Sequence, residues 1–183
     1  MRNVVASLPL VSLLFVFGCG KPPLAGVSID PAFRPFVLPG AKALVSVQVE
    51  KAKTTELYKR HEQEFDLPQL NAMAERTGLD PRRDLSALLV SWDGSHPLLL
   101  AHGSFIAGNL EKQLRDTGAA RTSYKAYTLL GNSRESVVFP QAGLAVAGAA
   151  VSVRAALDSQ GNRDVPEGLQ ERLAGVPKNA QIW

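Results

Sequence analysis

The side chains best placed to do chemistry lie in the string Asp80-Pro81-Arg82-Arg83-Asp84. Two adjacent guanidinium groups can grip a carboxylate or a phosphate through paired N–H donors, which makes Arg82 and Arg83 candidate anion contacts. The same five residues also suit a purely architectural use. Asp80 is a helix N-cap type, Pro81 fits the first helical position, and Gly78 can end a preceding helix. Asp84 would then pair with an arginine or cap backbone amides, and this use is the stronger expectation. His61, His96 and His102 are the histidines of the chain. None stands at metalloprotease or zinc-site spacing, and they fall at a helix edge, in a turn and at a strand end, so no metal site is expected. No G-x-S-x-G, S-x-x-K or phosphate-loop string occurs, and Ser104 after His102-Gly103 is better placed as a helix N-cap than as a nucleophile. Trp92 and Trp183 can line a ligand groove, with core packing the expected use. No catalytic residue and no cofactor are therefore assigned.

Cys19 is the single cysteine, so no disulfide can form within one chain. It follows Gly18 at the end of an apolar run, Val4 to Phe17, that begins after Arg2. A positive residue, an apolar stretch and a small residue before the cut are the parts of an export signal. With cysteine directly after the cut, residues 1–18 resemble a bacterial lipoprotein signal, and Cys19 is the expected lipidation site. The run is short of the roughly 20 residues that span a bilayer, and Pro9 interrupts it, so a membrane-spanning helix is not expected. The resulting expectation is an exported, membrane-anchored lipoprotein facing the periplasm or the cell exterior. Gly20, rather than an acidic residue, follows the cysteine.

Removal of residues 1–18 leaves about 165 residues with 19 basic and 17 acidic side chains, a length suited to one domain with its own core. The basic residues are scattered and not interleaved with aromatics. Nucleic-acid binding needs a concentrated positive footprint, and that class is excluded.

From Gly20 to Gly40 the prolines at 22, 23, 31, 35 and 39 oppose regular structure, so residues 19–39 read as a Pro/Gly-rich tether. Phe33, Phe36, Val37 and Leu38 are nonetheless apolar enough for part of it to dock. The folded region is expected over residues 40–183. It opens with a strand at 43–49, where Val45, Val47 and Val49 alternate with polar positions. A helix from about Glu50 carries Leu57, Tyr58, His61 and Phe65, and a second, capped by Asp66, carries Leu70, Met73 and Ala74 up to Gly78. Strands at 87–92 and 97–102 form a hairpin, and an amphipathic helix follows with Ile106, Leu110 and Leu114. Strands at 124–130, 136–139 and 144–147, helices at 150–157 and from Pro166, and a closing strand at Gln181-Ile182-Trp183 complete the order. That order predicts an α+β fold, a mainly antiparallel sheet with helices packed on one face, with a middle portion like a split βαβ unit. Because two large apolar residues end the chain inside a strand, the 40–183 domain is expected to be truncated at its C-terminus.

The string Thr77 to Leu85 with the strand after it, Gly103-Ser104-Phe105 before an amphipathic helix, and the Pro177 to Trp183 ending resemble a group of uncharacterised bacterial extracytoplasmic proteins, domains of unknown function with a lipoprotein or secretory signal. The resemblance covers residues 40–183 as the N-terminal half. It implies that a second α+β half follows, and it supplies no catalytic residues. The functional expectation is a lipid-anchored, non-catalytic interaction or structural module of the cell envelope, held to the membrane through its lipid and presented to an envelope protein partner. Two other classes stay open: a binding module for a small apolar or anionic ligand, and an enzyme whose site lies beyond Trp183.

Overall fold

The computed structural model describes residues 26–61, 64, 68–160 and 165–183. Cys19, the signal segment, the first part of the tether and the Asp66 cap lie outside them. Seven strands form one sheet in the order β1-β2-β3-β7-β6-β5-β4, with every neighbouring pair antiparallel. They are β1 (Ala43–Val47), β2 (Leu85–Trp92), β3 (Pro97–Gly103), β4 (Ala120–Tyr124), β5 (Tyr127–Gly131), β6 (Glu135–Gln141) and β7 (Leu144–Ala149). The fold is α+β.

Helices α1 (Val49–Lys53), α2 (Glu56–Arg60), α3 (Pro68–Thr77) and α4 (Pro81–Asp84) connect β1 to β2. The first helix expected from the sequence is in fact the pair α1 and α2. The chain turns at Thr54, and Thr55 caps α2 by accepting a hydrogen bond from Tyr58 N. Between β3 and β4 runs α5 (Ala107–Asp116). Alternating directions across the sheet make β3 and β4 parallel with three strands between them, so their connection must cross a face, and α5 is that crossover. Its N-cap is Ile106, without a side-chain cap bond, and not Ser104. The strand expected at 124–130 is a hairpin, β4 and β5, turned through Lys125 at φ 52. Lysine carries no turn signature, so the periodicity ran through the turn unmarked.

The two sheet faces are covered unequally. On the first, Ala87, Leu89, Leu98, Leu100, Leu129, Val138, Leu144 and Val146 form the main core with Val153, Ala156 and Leu157 of α6 (Ala150–Asp158) and Leu169 of α7 (Glu167–Ala174). Two of the helices, α6 and α7, thus pack on this one face, the arrangement the sequence suggests, although α5 lies on the other. On the second face α5 adds a smaller cluster, in which Leu110 packs with Leu79, Leu85 and Phe105 against Leu88, Ala101, Phe139 and Ala145.

The tether boundary requires correction. Ile29, Phe33, Phe36, Val37, Leu38 and Ala41 are all buried in the main core, with Phe33 only 1% exposed. Residues 26–41 are therefore a strap across the first face, turning through a short 3₁₀ helix at Arg34–Phe36. Proline stops this segment from forming a helix or a ladder but does nothing to keep its aromatic side chains in water. Polar contacts fix the strap: Leu38 N donates to the buried Ser91 Oγ at 3.2 Å, and Asp30 Oδ2 lies 2.9 Å from His102 Nδ1. At the other end of the chain, Ser46 N donates to Trp183 O at 2.6 Å, Trp183 N donates to Ser46 O at 3.1 Å, and Ile182 bridges Val47. The closing segment thus lies beside β1, as its apolar residues predict.

Candidate functional site

The Asp80–Asp84 string forms the junction between α3 and β2. Asp80 is the N-cap of α4, accepting from Arg82 N at 3.0 Å, and Pro81 occupies the first turn. Asp84 Oδ2 reaches back to accept from Asp80 N at 2.9 Å. Both arginines are engaged inside the chain. Arg82 Nε and Nη2 donate to the two Asp80 oxygens at 3.0 and 3.1 Å, and its Nη2 also donates to Asn71 Oδ1 at 2.7 Å. Arg83 makes a bidentate pair with Asp84 at 2.7 and 3.0 Å. An incoming anion would have to displace a carboxylate at either position, so the geometry is that of a helix-to-strand junction.

The arginines hold both carboxyl groups below the usual carboxylate range: Arg82 through a side-chain hydrogen bond to Asp80, and Arg83 in the same way to Asp84. A lowered folded-state pKa contributes stability that is complete above the unfolded value of about 4 and is lost as pH falls through the folded value. Asp80→Ala is therefore expected to lower stability by about 1 kcal/mol at pH 7, the value of a lost N-cap. The difference from wild type should shrink below about pH 4. Urea midpoints measured at pH 7 and pH 3 check this, and an undiminished difference at pH 3 would contradict it.

The histidines do not converge. His61 Nδ1 lies 2.8 Å from Glu64 Oε1, His102 is held by Asp30, and His96 sits in the β2–β3 turn, where Asp93 Oδ1 accepts from its backbone N–H at 2.9 Å. Among the described residues no group of three or more His, Cys, Asp or Glu is arranged to hold a metal ion. Ser104 donates its backbone N–H to Asp84 O at 2.8 Å and is part of the junction.

Sequence reasoning missed the uncovered half of the second sheet face. The register aligns Val45, Val90, Leu99, Ala147 and Val137 across β1, β2, β3, β7 and β6, and α5 stops short of them. Residues directly opposite in antiparallel strands share a face, so this row is continuous. Val45 is 51% exposed, Trp92 43% and Leu99 42%, and the three share this face, while the other strongly exposed apolar side chains, Leu57, Ile106, Val151 and Ile182, lie on other elements. Trp92 accordingly stands at the margin of this face and not in the core. The signal was present in Leu88-Leu89-Val90 and Leu98-Leu99-Leu100. Unbroken apolar runs of this kind place apolar residues on both faces of a sheet, whereas strict alternation places them on one.

A polar hollow of about 450 Å³ lies elsewhere, where the strap, α1 and the closing segment meet, lined by Asp30, Gln48, Lys51, Lys178 and Trp183. Its two lysines are exposed surface side chains.

No helix among the described residues is long and apolar enough to cross a membrane. No family model matches the chain, and no curated protein matches it. Among solved structures it is similar to crystal form I of TP0453, at 16% identity and a TM-score of 0.45, covering 84% of this chain and 60% of that one. Crystal form IV of TP0453 gives 15% identity and a TM-score of 0.41, over 82% of this chain and 55% of that one. The chain thus spans less than two thirds of the length of these structures.

Proposed function

We propose that this protein is a lipid-anchored extracytoplasmic module, attached to the membrane through Cys19, that acts by interaction and not by catalysis. The working surface is the open apolar half of the second sheet face. The observation that carries the reading is the continuous row Val45-Val90-Leu99-Ala147-Val137, left uncovered by α5 while the opposite face is closed by α6, α7 and the strap. A continuous apolar row left open on one sheet face is the kind of feature that contact surfaces are built on. The Gly18-Cys19 end of the apolar leader supports the anchor.

A photoreactive residue at position 99, placed in the native host, tests both parts. Adducts are expected at position 99 and not at the exposed α7 position 171, and Cys19→Ala should abolish them while releasing the protein from lipid-modified membrane fractions. Equal labelling at both positions would refute the surface. Unchanged fractionation of Cys19→Ala, with no lipid adduct on the wild type, would refute the anchor.

A further inference from the structure

The open half of the second face runs to the β1 edge of the sheet. There the closing segment lies antiparallel to β1 with Ile182 directly opposite Val47, and residues opposite one another share a face. Val47 stands two residues from Val45 and so on the same side, which means that Ile182, 65% exposed, extends the apolar face past β1. Val45, Trp92, Leu99 and Ile182 thus form one exposed patch over the closing segment, β1, β2 and β3. The far end of the same face is occupied: Val49 of α1 and Leu110 of α5 stand there against Leu88 and Ala101. A broad, flat partner therefore reaches the patch along the β1 edge.

The first described residue lies at that edge. Gly26 packs against the Leu173 carbonyl of α7 and, with Gln48, Ala180 and Trp183, lines the hollow beside the closing segment. Seven peptide bonds run from Cys19 to Gly26. At about 3.6 Å each they reach roughly 25 Å at most. A lipid on Cys19 would hold the β1 edge within that distance of its bilayer, whatever path those residues take.

Four partly exposed side chains make a weak surface for a free molecule. A short tether changes the arithmetic, because docking becomes an intramolecular step at high effective concentration. Trp92 is the residue type that settles at the headgroup level, with an apolar ring and a polar N–H. Charge does not drive the contact: near this edge Lys42, Lys51 and Lys178 are matched by Asp30, Glu50 and Asp93, so no basic cluster faces the lipid and apolar insertion is the favourable term.

We propose that the β1 edge of the open face docks on the bilayer that carries the Cys19 lipid, with Val45, Trp92 and Ile182 at the headgroup boundary and Leu99 behind them. The proposal rests on the Cys19 anchor and on the open face being the working surface, and it names the bilayer as what that surface meets.

The protein, purified from its native host and reconstituted in phosphatidylcholine vesicles, is tested by quenching of its tryptophan emission with lipids brominated in the acyl chain. Quenching is expected in wild type and in Trp183→Phe, and should be lost in Trp92→Phe. Val45→Asp and Ile182→Asp should each lower the ratio of quenched to unquenched Trp92 about fivefold, the scale of a charge placed near the membrane interface. Val151→Asp, at a similarly exposed apolar side chain on α6, should leave that ratio unchanged. Ile182→Asp should also keep the wild-type urea midpoint, so the proposal stays testable if Val45→Asp fails to fold. Unquenched Trp92 on a chain whose Cys19 carries lipid, or equal effects of aspartate at 45, 182 and 151, would overturn this inference alone. An unmodified Cys19, read by mass spectrometry, would overturn the anchor and this inference together. Adducts from position 99 to an envelope protein, with Trp92 unquenched, would assign the surface to a protein partner and overturn the bilayer.

Discussion

Phe33→Ala is expected to destabilise the protein by about 3–5 kcal/mol, although Phe33 lies in the Pro-rich stretch where a tether would place no energetic weight. The ring is 1% exposed and makes an edge contact with the His102 imidazole at a centroid distance of 6.2 Å. It belongs to a cluster that joins the strap to Leu89, Leu100, Leu144 and Val146 of the sheet and to Val153 of α6. Truncation removes the transfer free energy of the ring and leaves a cavity beneath a strap that has little regular structure with which to collapse. Urea unfolding followed by circular dichroism measures the loss. A change below about 1 kcal/mol would restore the tether reading for this segment. By the same reasoning, a chain begun at residue 42 should lack a closed core and expose the apolar first face of its sheet.

Gly103→Ala is expected to cost about 3 kcal/mol or more, because the added carbon has no space. A Cβ at Gly103 would lie 1.9 Å from Asp84 O and 2.8 Å from Leu85 Cα, both backbone atoms that no rotamer change can move. Gly103 N also donates to Gly143 O at 2.9 Å, and Gly143, at φ 68, would place its own Cβ 2.2 Å from Gly103 O. Three backbones thus meet where the Asp80–Asp84 junction enters β2, next to the register shift between Leu85 and Ala87. Relief requires parting β2 from β3 at this end or shifting the β6–β7 turn, and either loosens the junction. Gly108→Ala is the matched control: nothing lies within 4 Å of its Cβ position, and alanine in α5 should be neutral or stabilising by about 0.5 kcal/mol. Thermal unfolding of the two variants side by side checks the contrast. Equal midpoints would mean that the three-backbone contact is absent in solution.

How much was legible in the sequence follows from which forces are local. The β2–β3 hairpin, α5, α6, α7, the end of α3 at Gly78 and the Asp80-Pro81 start of α4 all follow from periodicities, caps and turn residues that act within a few positions. The α+β class follows from their order. The pairing of Asp84 with an arginine was legible for the same reason, because Arg83 is its chain neighbour, whereas the second pair, Arg82 with Asp80, emerged only in the structure. Where no local signal exists, the reading failed. Lys125 turns a hairpin without a turn residue, and Ile106 occupies an N-cap that Ser104 was expected to fill.

Coverage of the sheet was decided only by tertiary structure. Alternation and apolar runs record which side chains avoid water, but the partner that excludes the water can lie anywhere in the chain. Phe33 and Leu38 fall in a segment that proline marks as irregular, yet they close the first face, because burial needs proximity to the sheet and no regular backbone. Leu99 and Val90 fall in strands whose runs predict two covered faces, yet α5 reaches only one end of the second. The length and path of a crossover helix depend on which strands it joins, and the placing of β4 at the far edge of the sheet is a long-range pairing that no short window of residues contains.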